Sequence, residues 1–280
     1  MIFWLASYPK SGNTLLRSIL GSYFFSQDGD FSFNNLYKIS QFPTQNQFTK
    51  LGIDINNDEE VFKNFIKAQE LLNFENRNLK FFKTHSSLCK MHGCNFTDLR
   101  NSLAVIYIVR DPRNVVSSFA YHYSLNIDKA TDTMIDKMNF QIKNNGTCTS
   151  FLGSWDFSYN SWKKFNEKGR YLLVKYEDLV SRKKTTLIKV FKFLKELGVL
   201  RNDLDMVKLN KVIKSTEFEQ MKKLEKKNTF HESIIDKKTG IRKDFFNLGP
   251  KNVWQKNLDE KNRLKIEKAF EKEMKELNYL

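Results

Sequence analysis

The chain has 280 residues, of which 47 are Lys or Arg and 32 are Asp or Glu, for a net charge of +15. Hydrophobic residues make up 40% and Phe alone numbers 25, which excludes a disordered tail and is enough for a full core. A surface this positive attracts anions, whether nucleotides, nucleic acid, acidic glycans or anionic membranes, without choosing among them. No apolar run approaches the length that spans a bilayer, because Lys10 and Arg17 interrupt the apolar amino terminus, and no positive region precedes that run as in a secretory signal. Three cysteines cannot build a disulfide framework, so the expectation is a cytoplasmic protein with reduced thiols and no transmembrane segment.

In chain order, residues 2–8 form an apolar run that ends in Pro9-Lys10-Ser11-Gly12-Asn13-Thr14, after which Leu16, Ile19, Leu20, Tyr23 and Phe24 recur at helical spacing. This is strand, loop, helix. Residues 79–84 are a second strand candidate, and 103–109 a third whose unbroken β-branched run suits a strand covered on both faces. Asp111 then reads as an N-cap with Pro112 at the first helical position, and Val115, Val116, Phe119, Ala120 and Tyr123 give that helix its apolar face. Residues 171–176 read as a fourth strand, followed by a helix carrying Leu187, Val190, Phe191 and Leu194 and closed by Gly198. The last third is helical in pattern, most clearly over 259–277, whereas 236–254 carries Gly240, Gly249 and Pro250 and reads as a loop. Strands alternating with helices predict an α/β fold with a central parallel sheet flanked by helices, and with no repeat or linker the economical reading is one domain over residues 1–280.

The first strand-to-helix switch gathers unpaired backbone N–H groups, the positive end of a helix dipole, Lys10 and two hydroxyls around one point, which suits phosphate or sulfate. The order differs from the nucleotide-binding G-x-x-x-x-G-K-[ST] pattern because the Lys precedes the Gly, which argues against a nucleotide kinase. The stretch Tyr8-Pro9-Lys10-Ser11-Gly12-Asn13-Thr14 resembles instead the 5′-phosphosulfate loop of sulfotransferases that use 3′-phosphoadenosine 5′-phosphosulfate (PAPS). By that resemblance Lys10 contacts the oxygen bridging phosphate and sulfate, and Ser11, Gly12, Asn13 and Thr14 hold the 5′-phosphate. Leu15 stands where the family often has Trp.

Further segments follow in the family's order. Lys83-Thr84-His85 is similar to the family's K-T-H, which implies His85 as general base on the acceptor and fits the ordinary titration range of imidazole. Lys83 would stabilise charge on the transferring sulfuryl group. Arg110-Asp111-Pro112-Arg113, with Ser118 eight residues after Arg110, resembles the 3′-phosphate segment and implies Arg110 and Ser118 as its ligands, with Arg113 a weaker candidate. Tyr176 in Tyr176-Glu177-Asp178-Leu179 is implied to reach the adenine, and Phe218 to stack on it with Met221 nearby. The late loop departs from the family's R-K-G-x-x-G-x-W: residues 246–254 keep Gly249 and Trp254 but lack the two cations, so backbone N–H groups around Gly249, or Arg242, Lys243 or Lys251, would have to serve the 3′-phosphate.

The chain is thus identified as a member of the PAPS-dependent sulfotransferases, a bacterial-type short form resembling the cytosolic ones, with a P-loop-like phosphosulfate loop. The resemblance implies in-line sulfuryl transfer to a hydroxyl or amine, with adenosine 3′,5′-bisphosphate as product and no metal. His85, Cys89, His92 and Cys94 form too compressed a set for a structural zinc site. The Lys-rich run 222–227 reads as a solvated helix face, nucleic acid is not an expected partner, and a non-catalytic basic nucleotide or nucleic-acid module is the alternative from another class. Segments 29–78 and 125–158 are the candidates for the acceptor pocket, and Phe157, Tyr159 and Trp162 are open between core and rim.

Overall fold

Five parallel strands form the framework in the computed structural model, which describes residues 1–75, 80–144, 146–228, 230–235 and 240–280. Across the sheet the strands run Ser40–Gln41, Lys80–Thr84, Ile2–Ser7, Ser102–Val109 and Tyr171–Lys175. Ile2–Ser7 lies between two partners and is buried at every position, which is why its sequence is an unbroken apolar run and not an alternating one. Ala6 pairs with Thr84, Ser7 with Ile108, and Val109 with Lys175, so four strands end in register.

By its own contacts the chain divides into two compact units, each assembled from three stretches. The first comprises Met1–Asn13, Ile39–Val109 and Asp136–Lys175 and holds the whole sheet. The Trp155–Trp162 helix packs on the Ile2–Ser7 and Ser102–Val109 strands, and an aromatic core gathers around Trp4. The Trp4 ring lies 5.7 Å from Phe42, 5.3 Å from Phe96 and 6.1 Å from Trp162, and its indole N–H donates to Ser102 Oγ at 2.6 Å. Such clusters give part of the phenylalanine excess its place: offset and edge-on rings fill volume that aliphatic side chains would leave open. Tyr159 and Trp162 belong to this core, while Phe157 is exposed.

The second unit comprises Thr14–Lys38, Arg110–Ile135 and Tyr176–Leu280. Its Pro112–Tyr123 helix begins as the sequence predicts, with Pro112 at its first position and the Asp111 carboxylate accepting from the Arg113 N–H. Helix Ile127–Ile135 packs against it and against Glu260–Ala269. A separate apolar cluster joins Phe33, Leu36, Met221, Phe230 and Phe246.

Several boundaries differ from the sequence reading. Tyr8 already lies in the turn, and Tyr176 is the first residue of a short Tyr176–Ser181 helix and not the last of a strand. Arg182 leaves helical geometry before the Lys183–Glu196 helix starts. The helix expected over 259–277 breaks at Phe270, whose ψ of 20° ends Glu260–Ala269 before Glu271–Glu276 resumes. In the 236–254 stretch, residues 236–239 lie outside the described residues; beyond them Arg242 bridges to Ile235, Gly249–Lys251 forms a 3₁₀ turn, and Trp254 opens a helical turn. Residue 79 of the second strand candidate also lies outside the described residues.

Candidate active site

The loop after the first strand has a backbone that few sequences adopt. Lys10 has φ 65° and Gly12 φ 103°, both in the left-handed region, so the chain coils back before Asn13 starts the Asn13–Phe25 helix. Alternation of this kind turns successive N–H groups toward one concavity ahead of a helix start, the arrangement that receives anions. Ser11 is 1% exposed and its hydroxyl has no partner among the described residues. A buried hydroxyl without a partner is costly unless a ligand completes it, so the loop fits a bound anion.

His85 follows the strand Lys80–Thr84, whose Thr84 and Lys83 are buried. Its Nδ1 lies 2.8 Å from the Ser7 carbonyl oxygen. A carbonyl only accepts, so Nδ1 carries the hydrogen and the neutral ring's lone pair sits on Nε2. The amide nitrogen of Asn13 is used within the protein, donating to the Leu5 carbonyl at 2.9 Å and to Ser7 Oγ at 3.1 Å. Of the remaining H-x₃-C-x₂-H-x-C residues, His92 lies beside Glu59 and stacks on Phe62, and among the described residues no three metal-ligating side chains come together. Burial pushes the Cys89 and Cys148 thiols up to about 11, which leaves both protonated and poor nucleophiles at neutral pH.

In the second unit, Arg110 is 5% exposed and its guanidinium lies 4.2 Å over the Tyr176 ring, while Nη2 donates to the Gly249 carbonyl at 3.3 Å. The implied 3′-phosphate ligand, the implied adenine contact and the altered late loop therefore meet at one cation. Gly249 has φ 52°, and a Cβ there would overlap the Phe218 ring, so the glycine is what allows loop and ring to touch. Phe218 also packs edge-on against Phe246 at 6.2 Å. Ser118 lies half-buried on the Pro112–Tyr123 helix, two turns from its start. Among the lysines of 222–227, Lys223, Lys226 and Lys227 are solvated as expected, but Lys222 is half-buried and donates to the Asn247 carbonyl at 3.0 Å.

The cations proposed as replacements in the late loop are engaged elsewhere. Arg242 donates to the Phe230 carbonyl, Lys243 to the Tyr121 carbonyl and Ser124 Oγ, and Lys251 pairs with Glu219. Arg113, the weaker phosphate candidate, holds Asp111, Glu267 and the Tyr279 carbonyl and covers the Trp254 ring. Thr14 donates its hydroxyl proton to Glu232 at 3.2 Å, and Glu232 also pairs with the buried Arg17. Sequence reasoning missed Glu225, whose carboxylate accepts from the N–H groups of Phe245 and Phe246, and Asn252, which ties the late loop to Asn114 and Ser117. Their partners are remote in sequence, so no local pattern marks them.

With this geometry in view, comparison with known proteins is specific. A family model described as the sulfotransferase domain matches residues 2–278, and the chain belongs to that family. Sulfotransferase 2A2 of Rattus norvegicus is 27% identical over 188 residues, which are 66% of this chain and 61% of that protein. Sulfotransferase 1E1 of the same organism is 24% identical over 279 residues, 97% of this chain and 83% of that one. The matched stretch is thus less than two thirds of some curated relatives and most of others. Among solved structures, mouse sulfotransferase SULT7A1 complexed with PAP superposes with a TM-score of 0.59 at 19% identity, covering 98% of this chain and 84% of that one. Retinol dehydratase in a complex with retinol and PAP gives 0.57 at 17% identity, covering 98% and 81%. These likenesses establish the α/β fold with its central parallel sheet. Among the described residues no helix is long and apolar enough to cross a membrane.

Proposed function

We propose that the chain is a cytoplasmic PAPS-dependent sulfotransferase, one domain over residues 1–280, that transfers a sulfuryl group to a hydroxyl or amine acceptor by in-line displacement. The observation that carries this reading is the left-handed loop at Lys10 and Gly12, with the partnerless Ser11 hydroxyl inside it, in the same unit as a histidine whose Nδ1–H is bound to Ser7. Family membership supports it, as does the PAP held by the mouse sulfotransferase and by retinol dehydratase, whose folds this chain shares.

When bound, PAPS supplies the activated sulfuryl group, and the phosphate side departs as PAP, adenosine 3′,5′-bisphosphate. The protein's part is to bind, orient and move one proton. Ser11, Gly12, Asn13 and Thr14 are the proposed 5′-phosphate ligands, chiefly through backbone N–H groups, since the Asn13 amide and the Thr14 hydroxyl are used within the protein. Lys10 balances charge on the leaving phosphate and Lys83 charge on the sulfuryl oxygens, a task that fixed cations perform at low reorganisation cost. Arg110 and Ser118 take the 3′-phosphate, Gly249 contributes backbone, and Tyr176 and Phe218 contact the adenine. His85 Nε2 receives the acceptor's proton.

Calorimetric titration of PAP into the wild type and the Lys10→Ala and Arg110→Ala variants, with 5′-AMP as the ligand lacking the 3′-phosphate, tests the reading. Expected is tight PAP binding, weak 5′-AMP binding and a loss of at least tenfold in each variant. Equal binding of the two nucleotides by the wild type would overturn the 3′-phosphate assignment. An acceptor screen with His85→Ala as control then tests the base.

A further inference from the structure

The hydrogen bonds around His85 run in one consistent direction, and they involve two residues that the functional reading leaves outside proton transfer. The Leu5 carbonyl can only accept, so the atom of Asn13 facing it is the amide nitrogen. The same nitrogen donates its second hydrogen to Ser7 Oγ at 3.1 Å. The Ser7 hydroxyl oxygen lies 3.3 Å from His85 Nδ1, whose hydrogen is already required by the Ser7 carbonyl at 2.8 Å. One N–H is therefore shared between the two oxygens of Ser7, and the Ser7 hydroxyl accepts from Asn13 and from His85 with its two lone pairs. Ser7 and Asn13 are 1% and 4% exposed, so water competes little for these bonds.

From this arrangement we infer that Ser7 and Asn13 are positioning residues for His85, fixing its tautomer with the lone pair on Nε2 and stabilising the ring once Nε2 is protonated. This deepens the proposed function and rests on it for the role of His85 as base. The physical reason is that both acceptors face Nδ1–H with their oxygens, and a hydrogen bond from a charged donor is roughly twice as strong as one from a neutral donor. When Nε2 gains a proton, Nδ1–H becomes such a donor, and no proton has to leave Nδ1. Asn13 acts one step further out: it occupies one Ser7 lone pair and anchors to Leu5, holding the hydroxyl oxygen on the His85 side. The first helical residue after the anion loop is in this way bonded to the support of the proposed base.

The test is ¹⁵N-detected NMR titration of the histidine side chains in the full chain, which has four histidines, with His85→Gln identifying the His85 signal. Expected in the wild type is a neutral His85 protonated at Nδ1. Ser7→Ala should bind the His85 proton about threefold more weakly, as one charge-assisted contact is lost, and Ser7→Thr, which keeps the hydroxyl, should restore it. Asn13→Ala should weaken it in the same direction, and the Ser7→Ala/Asn13→Ala double variant should lose no more than Ser7→Ala alone, because the two act through one contact. A neutral ring protonated at Nε2, an unchanged titration in Ser7→Ala, or fully additive losses would each overturn the inference. If Asn13→Ala fails to fold, the Ser7→Ala and Ser7→Thr pair still decides it. The base reading fails separately: if His85→Gln retains full transfer rate while the titrations behave as expected, the base role is lost and the positioning stands.

Discussion

Replacing Arg113 by Ala removes a guanidinium with four partners. It donates to both oxygens of Asp111, with Nε at 3.0 Å and Nη2 at 2.8 Å, to Glu267 at 2.7 Å and to the Tyr279 carbonyl at 2.6 Å, and it lies 4.2 Å over the Trp254 ring. The side chains of Asp111 and Glu267 are only 8% and 16% exposed, so in the variant two carboxylates face the space that the cation filled. Removing one partner of a buried ion pair costs about 3–5 kcal/mol, and the stacking adds about 1 kcal/mol, offset in part by water reaching Glu267. A loss of about 4 kcal/mol corresponds to a Tm lower by roughly 7 °C in a chain of this size. Arg113→Lys, which keeps the charge but not the planar fork, should fall between the two. Thermal and urea unfolding measure the loss, and calorimetry with PAP measures the site. If Tm stays within about 2 °C of the wild type while PAP affinity drops tenfold, Arg113 is a phosphate ligand and the brace described here is wrong.

Three further outcomes are expected. Gly249→Ala places a methyl group against the Phe218 ring at a left-handed backbone position; this costs about 2–4 kcal/mol locally and should lower PAP affinity more than overall Tm, so an unchanged affinity would separate the late loop from the nucleotide. Gly21→Ala brings a Cβ to 2.7 Å from the Asn35 carbonyl oxygen, where the Asn13–Phe25 helix and the segment Phe33–Tyr37 approach closely; urea unfolding should show a loss of about 1–3 kcal/mol, and a neutral result would mean that the two segments part freely. Lys183 donates to the carbonyls of Ile213 and Thr216, and burial pushes its ammonium down to about 8, with Glu217 acting the other way. A neutral amine still has two hydrogens for those two carbonyls, so folding favours the deprotonated form. Between pH 8 and the ordinary 10.5 the unfolded chain binds more protons than the folded one, and this contribution makes stability rise with pH across that window, by up to roughly 3 kcal/mol. The rise should vanish in Lys183→Met; the same pH slope in both proteins would refute it.

What the sequence reveals of this molecule is what lies close together along it. The buried strands Ile2–Ser7 and Ser102–Val109 are legible because covering both faces demands unbroken apolar runs, and the Asp111-Pro112 start is legible because cap and first turn are adjacent residues. The strand-to-helix loop over residues 9–14 is legible for the same reason, being six consecutive residues between an apolar run and a helical spacing. Short helices such as Phe33–Tyr37 and Asp58–Lys63 escape a periodicity argument, although Ser32 and Asn57 cap them in a recognisable way. The roles of Arg113, Glu225, Glu232 and Asn252 are beyond local reading, since Arg113 meets Glu267 and Tyr279 across 154 and 166 residues and Glu232 meets Thr14 across 218.

The late loop shows the consequence for function. Its lack of Arg and Lys at residues 247 and 248 reads in sequence as two missing phosphate ligands. In the structure the Gly249 carbonyl instead accepts from Arg110, and Lys222 from the neighbouring helix binds the Asn247 carbonyl. The loop therefore orients a cation supplied by another segment, so Arg110 carries more of the proposed 3′-phosphate contact than in a site with three cations. It follows that Arg110→Lys, which loses the planar fork and its place on the Tyr176 ring, should cost PAP binding at least tenfold while 5′-AMP binding is little changed. An equal loss for both nucleotides would place Arg110 on the 5′ side or on the base, and the late loop with it.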